Sequence, residues 1–250
     1  QYYLGIQFLK GLGVKKDLVE AARLFTLSSE KGLADAEFNL GFLYLKGLGV
    51  PQNFKETFRL YSLSSQKGNI HSQNGLGWLY QNGVGTKKNL SKAIKYYKLA
   101  ADQNSKKAQF NLGTIFLTEN TIYKDISSSI KWFSMAANQN LAEAQHNLGS
   151  IYFIGDGIIQ DFKQAYKWYK LSSEQGFNLS QNKLSILYFY GWGIKKDLIK
   201  AHMWSNLSSA LGNKEAQSFR ARIQSQMSNT ELDQAQKKSI ECFSKNYKSC

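Results

Sequence analysis

The chain has 250 residues, a net charge of +14 and a hydrophobic fraction of 42%, values that suit a globular fold with a substantial core. No apolar run approaches the ~20 residues of a membrane-spanning helix, and the longest candidate, residues 184–194, is interrupted by two glycines. The single proline favours a mostly helical chain, because proline clashes inside helices and lacks a backbone donor.

The positive charge is spread along the chain without a block of five or six like charges. Two interpretations stay open: a solvated basic surface, or attraction to an anionic partner such as an acidic protein, a nucleic acid or a membrane surface. The chain opens at Gln1 without a methionine, so we expect a removed leader or a fragment of a longer protein. A secreted or periplasmic location is slightly favoured over a cytoplasmic one.

An internal repeat of 36 residues is the main pattern, and such a period is typical of stacked helix pairs. Each copy places a leucine before a small residue and an aromatic residue three positions after it. The small residues are Gly5, Gly41, Gly77, Gly113, Gly149 and, in the sixth copy, Ser185. A glycine inside a helix costs ~1 kcal/mol relative to alanine, so we expect its missing side chain to permit close helix packing.

Two further columns predict where helices begin and end. Asp17, Asn53, Asn89, Asp125, Asp161 and Asp197 are good N-cap residues. Gly32, Gly68, Asn104, Asn140, Gly176 and Gly212 are residues that tolerate the left-handed conformation closing a helix. Each unit is therefore predicted to be helix A, a turn with paired glycines, and helix B. In the second unit these helices cover about residues 35–46 and 54–67; the fourth has Glu119 and Thr121 in place of the turn glycines.

These residues carry a family resemblance. The third copy, NGLGWLYQNGVGTKKNLSKAIKYYKLAADQN, and the fifth, AQHNLGSIYFIGDGIIQDFKQAYKWYKLSSEQG, resemble the Sel-1-like repeat, a relative of the tetratricopeptide repeat. The resemblance implies an all-α, right-handed α/α superhelix over residues 1–216, with units at about 1–35, 36–71, 72–107, 108–143, 144–179 and 180–215. Capping helices and a tail would follow at 216–250, where Ser228 and Glu231 form a capping box.

The resemblance also implies a concave groove lined by the A helices, open to partner proteins. The groove residues would be Phe38, Asn39, Phe42, Asn74, Trp78, Gln81, Phe110, Asn111, Thr114, His146, Asn147, Ser150, Asn182, Lys183 and Ile186. The amides could bond an extended peptide backbone, and the aromatic residues could supply pockets. Equally, these amides could brace neighbouring helices.

Catalytic and metal patterns are weak. The Gly-rich turn follows a helix where a phosphate-binding loop needs a strand, and the three histidines fall in different units. No metal-ligand spacing and no nucleophile elbow occur, so we predict no metal, no cofactor and no enzyme. Cysteine-rich members of the resembled family bridge helices with the spacing of Cys242 and Cys250; a disulfide or two unpaired thiols both remain open.

Three functional hypotheses follow. The first is a non-catalytic scaffold or adaptor, predicted to be a monomer, that binds peptide segments of other proteins in the groove. The second is a binder of nucleic acid or an anionic membrane surface through lysine pairs in the A–B turns: Lys15/Lys16, Lys87/Lys88 and Lys195/Lys196. The third, remote, is an envelope activity on cell-wall or β-lactam substrates, which some cysteine-rich relatives suggest.

Overall fold

A computed structural model describes residues 1–118, 122–248 and 250. This part of the chain forms fourteen helices and no strand, an all-α solenoid of helix pairs. The helices are α1 (Tyr2–Lys10), α2 (Leu18–Glu30), α3 (Ala34–Lys46), α4 (Phe54–Gln66), α5 (Ile70–Asn82), α6 (Leu90–Asp102), α7 (Lys106–Leu117), α8 (Ile126–Asn138), α9 (Ala142–Ile154), α10 (Phe162–Ser173), α11 (Asn178–Tyr190), α12 (Leu198–Ala210), α13 (Lys214–Gln224) and α14 (Asn229–Ser244).

The chain divides into two compact units, Gln1–Leu112 and Gly113–Cys250, and the boundary falls within α7. In the first unit Phe25, Leu40, Leu43 and Leu60 belong to one buried core. In the second unit a larger core gathers Tyr169, Leu184, Trp204 and Ile223 with other buried residues. The division into an array to residue 216 and a capping region after it stays a prediction.

The predicted helix ends are confirmed. All six N-cap residues accept hydrogen bonds from backbone N–H groups in the first turn of the following B helix. All six residues of the closing column have positive φ, including Asn104 at 65° and Asn140 at 57°. The capping box of Ser228 and Glu231 is present, and α14 begins at Asn229, directly after Ser228. Glu119 and Thr121 lie outside the described residues; α7 ends at Leu117.

The glycine in the middle of helix A receives an aromatic ring from helix B of the same pair. A Cβ on Gly41 would lie 2.8 Å from the Tyr61 ring, and one on Gly77 would lie 2.5 Å from the Tyr97 ring. Phe25, Phe133 and Tyr169 approach Gly5, Gly113 and Gly149 in the same way. In the sixth pair Ser185 replaces the glycine and Ser205 replaces the ring, so both sides of the contact change together.

In four repeats the second glycine of the A–B turn packs against the start of helix B in the preceding repeat; these are Gly49, Gly85, Gly157 and Gly193. In the first unit a Cβ on Gly85 would overlap the carbonyl oxygen of Phe54. In the second unit a Cβ on Gly193 would lie 2.5 Å from the carbonyl carbon of Phe162. Gly13 is the equivalent glycine of the first repeat, and it has nothing within 4 Å of its Cβ position. These glycines therefore serve the stacking of repeats as well as the turn.

In the second, third and fifth repeats a polar pair ties the end of helix B to helix A of the same repeat. Gln103 donates to Gln73 at 2.8 Å, and Gln175 donates to Gln145 at 2.7 Å. In the second repeat the pair is charged: Lys67 Nζ lies 2.5 Å from the Glu37 carboxylate, whose side chain is only 3% exposed. In the sixth repeat Leu211 takes the partner's place, and Gln181 Oε1 is left buried without a partner among the described residues.

Removing only the lysine of this pair should destabilise the first unit. Lys67→Met leaves the buried Glu37 carboxylate without its cation, and we expect the free energy of unfolding to fall by about 1.5 kcal/mol. The loss is below that of a fully buried pair because Lys67 is 38% exposed. The double variant Glu37→Gln/Lys67→Gln installs the glutamine pair of the third and fifth repeats and should stay near wild type in chemical denaturation. Equal losses in both variants would contradict this role.

The C-terminal region carries the two cysteines. A disulfide joins Cys242 in α14 to Cys250, with 5.3 Å between the Cα atoms. Cys242 is buried in the core of the second unit. Over the described part of the chain, every helix is too short or too polar to cross a bilayer, and no three His, Cys, Asp or Glu side chains are grouped to hold a metal ion.

Candidate functional site

The A helices of the first unit form one face, because side chains link each to the next. Tyr2 of α1 accepts a hydrogen bond from Asn39 of α3 at 3.3 Å. The Phe38 ring of α3 lies 5.3 Å from the exposed His71 ring of α5. Trp78 stands in the middle of α5 with 43% of its surface exposed. We name the face formed by α1, α3, α5 and residues 106–112 the first A-helix face.

Most predicted amides on this face bond to other residues of the protein. Asn111 donates to Asn74 Oδ1 at 3.0 Å, and Asn39 also donates to the carbonyl oxygen of Asp35 at 2.8 Å. Gln81 accepts from the Tyr97 hydroxyl at 2.8 Å. These bonds support the bracing interpretation of the amides, so ring surface is the main feature that this face offers a partner. Three further rings at predicted groove positions of this face are half-buried: Phe38, Phe42 and Phe110.

In the second unit His146 lies at the start of a hydrogen-bond chain. Its Nδ1 is 2.9 Å from Ser180 Oγ. Ser180 donates to Ser172 Oγ at 2.7 Å, and Ser172 donates to the carbonyl oxygen of Ala142 at 2.8 Å. Because the Ser180 proton is already used, Nδ1–H of His146 donates to Ser180 Oγ, which places a proton on Nδ1.

Burial and, secondarily, the charge of Lys183 lower the pKa of His146 from 6.5 to about 4. The unfolded chain therefore takes up the proton first, and the stability contributed by the neutral ring is complete above pH 6.5 and lost as the pH falls towards 4. We expect the free energy of unfolding to fall by about 1 kcal/mol as the pH drops by one unit below the unfolded-state pKa.

His146→Phe carries the residue found at the equivalent positions 38 and 110, and its stability should depend less on pH over this window. Desolvation and the charge of Arg220 also lower the pKa of His202, so some slope should remain. His71→Asn changes an exposed ring and is the matched control. Denaturation midpoints measured at several pH values check this; an unchanged slope in His146→Phe would rule out His146 as its source.

The remaining predicted residues of the second unit differ in accessibility. Thr114, Asn147 and Ile186 are half-buried, and Ser150 Oγ lies 3.0 Å from the Tyr169 hydroxyl. Asn182 is only 3% exposed, and its side-chain amide donates to the Glu215 carboxylate of α13 at 3.4 Å. The burial of Asn182 removes it from the surface that a partner could contact.

Sequence reasoning missed a group of rings at the last A–B turn. Tyr190 and Trp192 are 40% and 37% exposed and stack with 4.5 Å between ring centroids. The pattern that could have revealed them is their departure from their own columns. In the first three repeats the position of Trp192 holds leucine or valine, and the position of Tyr190 holds lysine or asparagine. The turn lysines Lys15, Lys16, Lys87 and Lys88 are all exposed.

Comparisons with known proteins identify the repeat. The family model described as Sel1 repeat matches six times, at residues 1–33, 34–69, 70–105, 106–141, 142–177 and 178–213. No curated protein matches the chain.

Several solved structures share the fold. A Sel1 repeat protein from Oxalobacter formigenes is 27% identical over 94% of this chain and 96% of that one, with a TM-score of 0.79. A protective antigen of uropathogenic Escherichia coli strains is 24% identical over 98% of this chain and 61% of its own, with a TM-score of 0.59. An immunity protein from Pseudomonas aeruginosa is 21% identical over 89% and 80%, with a TM-score of 0.50.

Proposed function

Because the chain belongs to the Sel1 repeat family, we propose that it is a non-catalytic scaffold that holds peptide segments of partner proteins against its A helices. Proteins of this family generally serve as scaffolds for protein–protein contacts. Stacked repeats share their cores with their neighbours and leave extended faces for binding. The proposal concerns which face of this chain is used and by what class of partner.

One observation carries the proposal: Trp78 is exposed in the middle of the first A-helix face. A tryptophan 43% open to solvent costs free energy that burial against a partner would recover, and tryptophan is enriched among residues that dominate binding energy. The half-buried rings of Phe38 and Phe42 lie on the adjoining helix α3. They would extend the apolar contact, while the mutually bonded amides keep the helices in place.

Site-specific photo-crosslinking tests this function. A photoreactive phenylalanine analogue at position 78 should crosslink partner proteins in cell extracts. The same analogue at position 99, on helix B α6, is the matched control, because Leu99 is 40% exposed. Trp78→Ala should weaken binding of the crosslinked segment about tenfold, and Leu99→Ala should leave the affinity unchanged.

Two results would contradict the proposal. Equal crosslinking from both positions would show that the A helices are not preferred. If the affinity for the partner falls steeply with salt and is unchanged in Trp78→Ala, an anionic partner bound by the turn lysines would be favoured instead.

A further inference from the structure

Four aromatic rings meet in the second unit, around the turn between α11 and α12. Trp192 is stacked against Phe162 with 5.1 Å between centroids and against Tyr190 at 4.5 Å. Phe153 lies 5.9 Å from Trp192 and 5.5 Å from Phe162. We name these four residues the aromatic patch. Tyr190 and Trp192 are its exposed members.

The repeat fold does not require these rings. The position of Tyr190 holds different residue types in the other five copies: Lys10, Lys46, Asn82, Thr118 and Ile154. The position of Trp192 is equally free of aromatic residues where the structure describes it: Leu12, Leu48, Val84 and Asp156. Those turns close with non-aromatic residues, so two large exposed rings at one turn need another reason. Exposed aromatic clusters on a folded protein commonly mark interaction sites.

Cations surround the rings. Lys183 Nζ lies 5.9 Å from the Phe153 centroid, and the Arg222 guanidinium lies 5.8 Å from the Tyr190 ring. Lys196 and Arg222 both lie 5.5 Å from Phe189, the buried ring next to Tyr190. None of these three cations has a salt-bridge partner among the described residues.

Three acidic residues of the neighbouring elements make other contacts. Asp161 and Asp197 accept hydrogen bonds from the backbone at the starts of α10 and α12. The Glu215 carboxylate lies against the Asn182 amide. Residues 178–200 contain four lysines and one aspartate. The surface around the rings is therefore positive.

We propose that the aromatic patch docks an acidic peptide segment of a partner protein, an inference that rests on the proposed scaffold function and names its partner's chemistry. Carboxylates of the segment pair with Lys183, Lys196 and Arg222, and an apolar side chain packs on Tyr190 and Trp192. A nucleic acid fits less well, because bases need an open ring face for stacking and Trp192 already stacks on two protein rings.

Selection from a phage-displayed random peptide library on the full chain tests this inference. We expect the enriched peptides to be rich in Asp and Glu around an aromatic or aliphatic residue. Binding of the synthetic peptides is measured by fluorescence anisotropy. Trp192→Leu introduces the residue of the equivalent position 48 and should lower the affinity for these peptides about tenfold. Arg222→Gln, an exposed change that leaves the turn intact, should weaken them as well and provides a second variant.

A matched control separates this patch from general basic charge. Lys196→Gln should lower the affinity for the same peptides several-fold. Lys88→Gln changes the equivalent position of the third repeat and should leave this affinity unchanged. Replacing the Asp and Glu of the peptide with Asn and Gln should abolish binding, because the charge complementarity is lost.

Three outcomes would overturn the inference: enriched peptides without acidic residues, affinity that ignores Trp192→Leu and Arg222→Gln, or Trp192-dependent binding to polyuridine or phosphatidylserine vesicles in place of the peptides. Crosslinking from position 78 distinguishes the two proposals. If it succeeds while the peptides ignore the patch, only this inference fails. If it fails while the peptides need Trp192, the first A-helix face is the wrong surface.

Discussion

Gly85→Ala should destabilise the first unit by at least about 3 kcal/mol. Its φ of +68° is a conformation that alanine rarely adopts, and its new Cβ would overlap the carbonyl oxygen of Phe54 at the start of α4. Backbone atoms cannot rotate away as a flexible side chain can. The variant must therefore separate the turn from α4 or distort both. Chemical denaturation followed by circular dichroism measures the loss.

Gly13→Ala is the matched control. Gly13 occupies the equivalent position of the first repeat, with a φ of +72° and nothing within 4 Å of its Cβ position. Alanine there carries the conformational strain alone, about 1–2 kcal/mol. The difference between the two variants measures the stacking contact. Equal losses would show that turn strain, and not stacking, explains the second glycine.

Gly77→Ala should destabilise the same unit by about 2 kcal/mol, although alanine is the better helix former by ~1 kcal/mol. The added Cβ would lie 2.5 Å from Tyr97 Cδ1 and 2.9 Å from Cγ. The Tyr97 ring is fully buried and its hydroxyl is bonded to Gln81, so it has no free space to enter. The overlap should exceed the gain in helix propensity.

Ser185→Ala is the control for this prediction, because it concerns the same column. The sixth pair already carries a Cβ there and has Ser205 in place of the ring. The Ser185 hydroxyl is buried without a partner among the described residues, so its removal should be neutral or slightly stabilising. A neutral Gly77→Ala would show that the ring can shift and that the glycine column has another cause.

The candidate site was predicted less completely than the fold. The 36-residue register placed Trp78 on an A helix, and in the structure Trp78 lies in α5 with its ring exposed. The register could not show that Asn111 bonds to Asn74 or that Asn182 bonds to Glu215. Each amide has the same two candidate roles in the sequence, and only the position of a residue more than 30 places away decides between them.

The sequence by itself determined the helices and their ends. An N-cap such as Asn89 bonds to its own first turn, and a closing residue such as Asn104 adopts positive φ by its own preference. These are local properties of a few adjacent residues.

Only the tertiary structure decided what the glycines and polar side chains contact. Gly77 contacts Tyr97, Gly85 contacts Phe54, and Lys67 contacts Glu37; in each case the partner belongs to another helix. The register shows that such residues recur. Which atoms are in contact depends on the distance and the angle between the packed helices, and the sequence does not give these quantities.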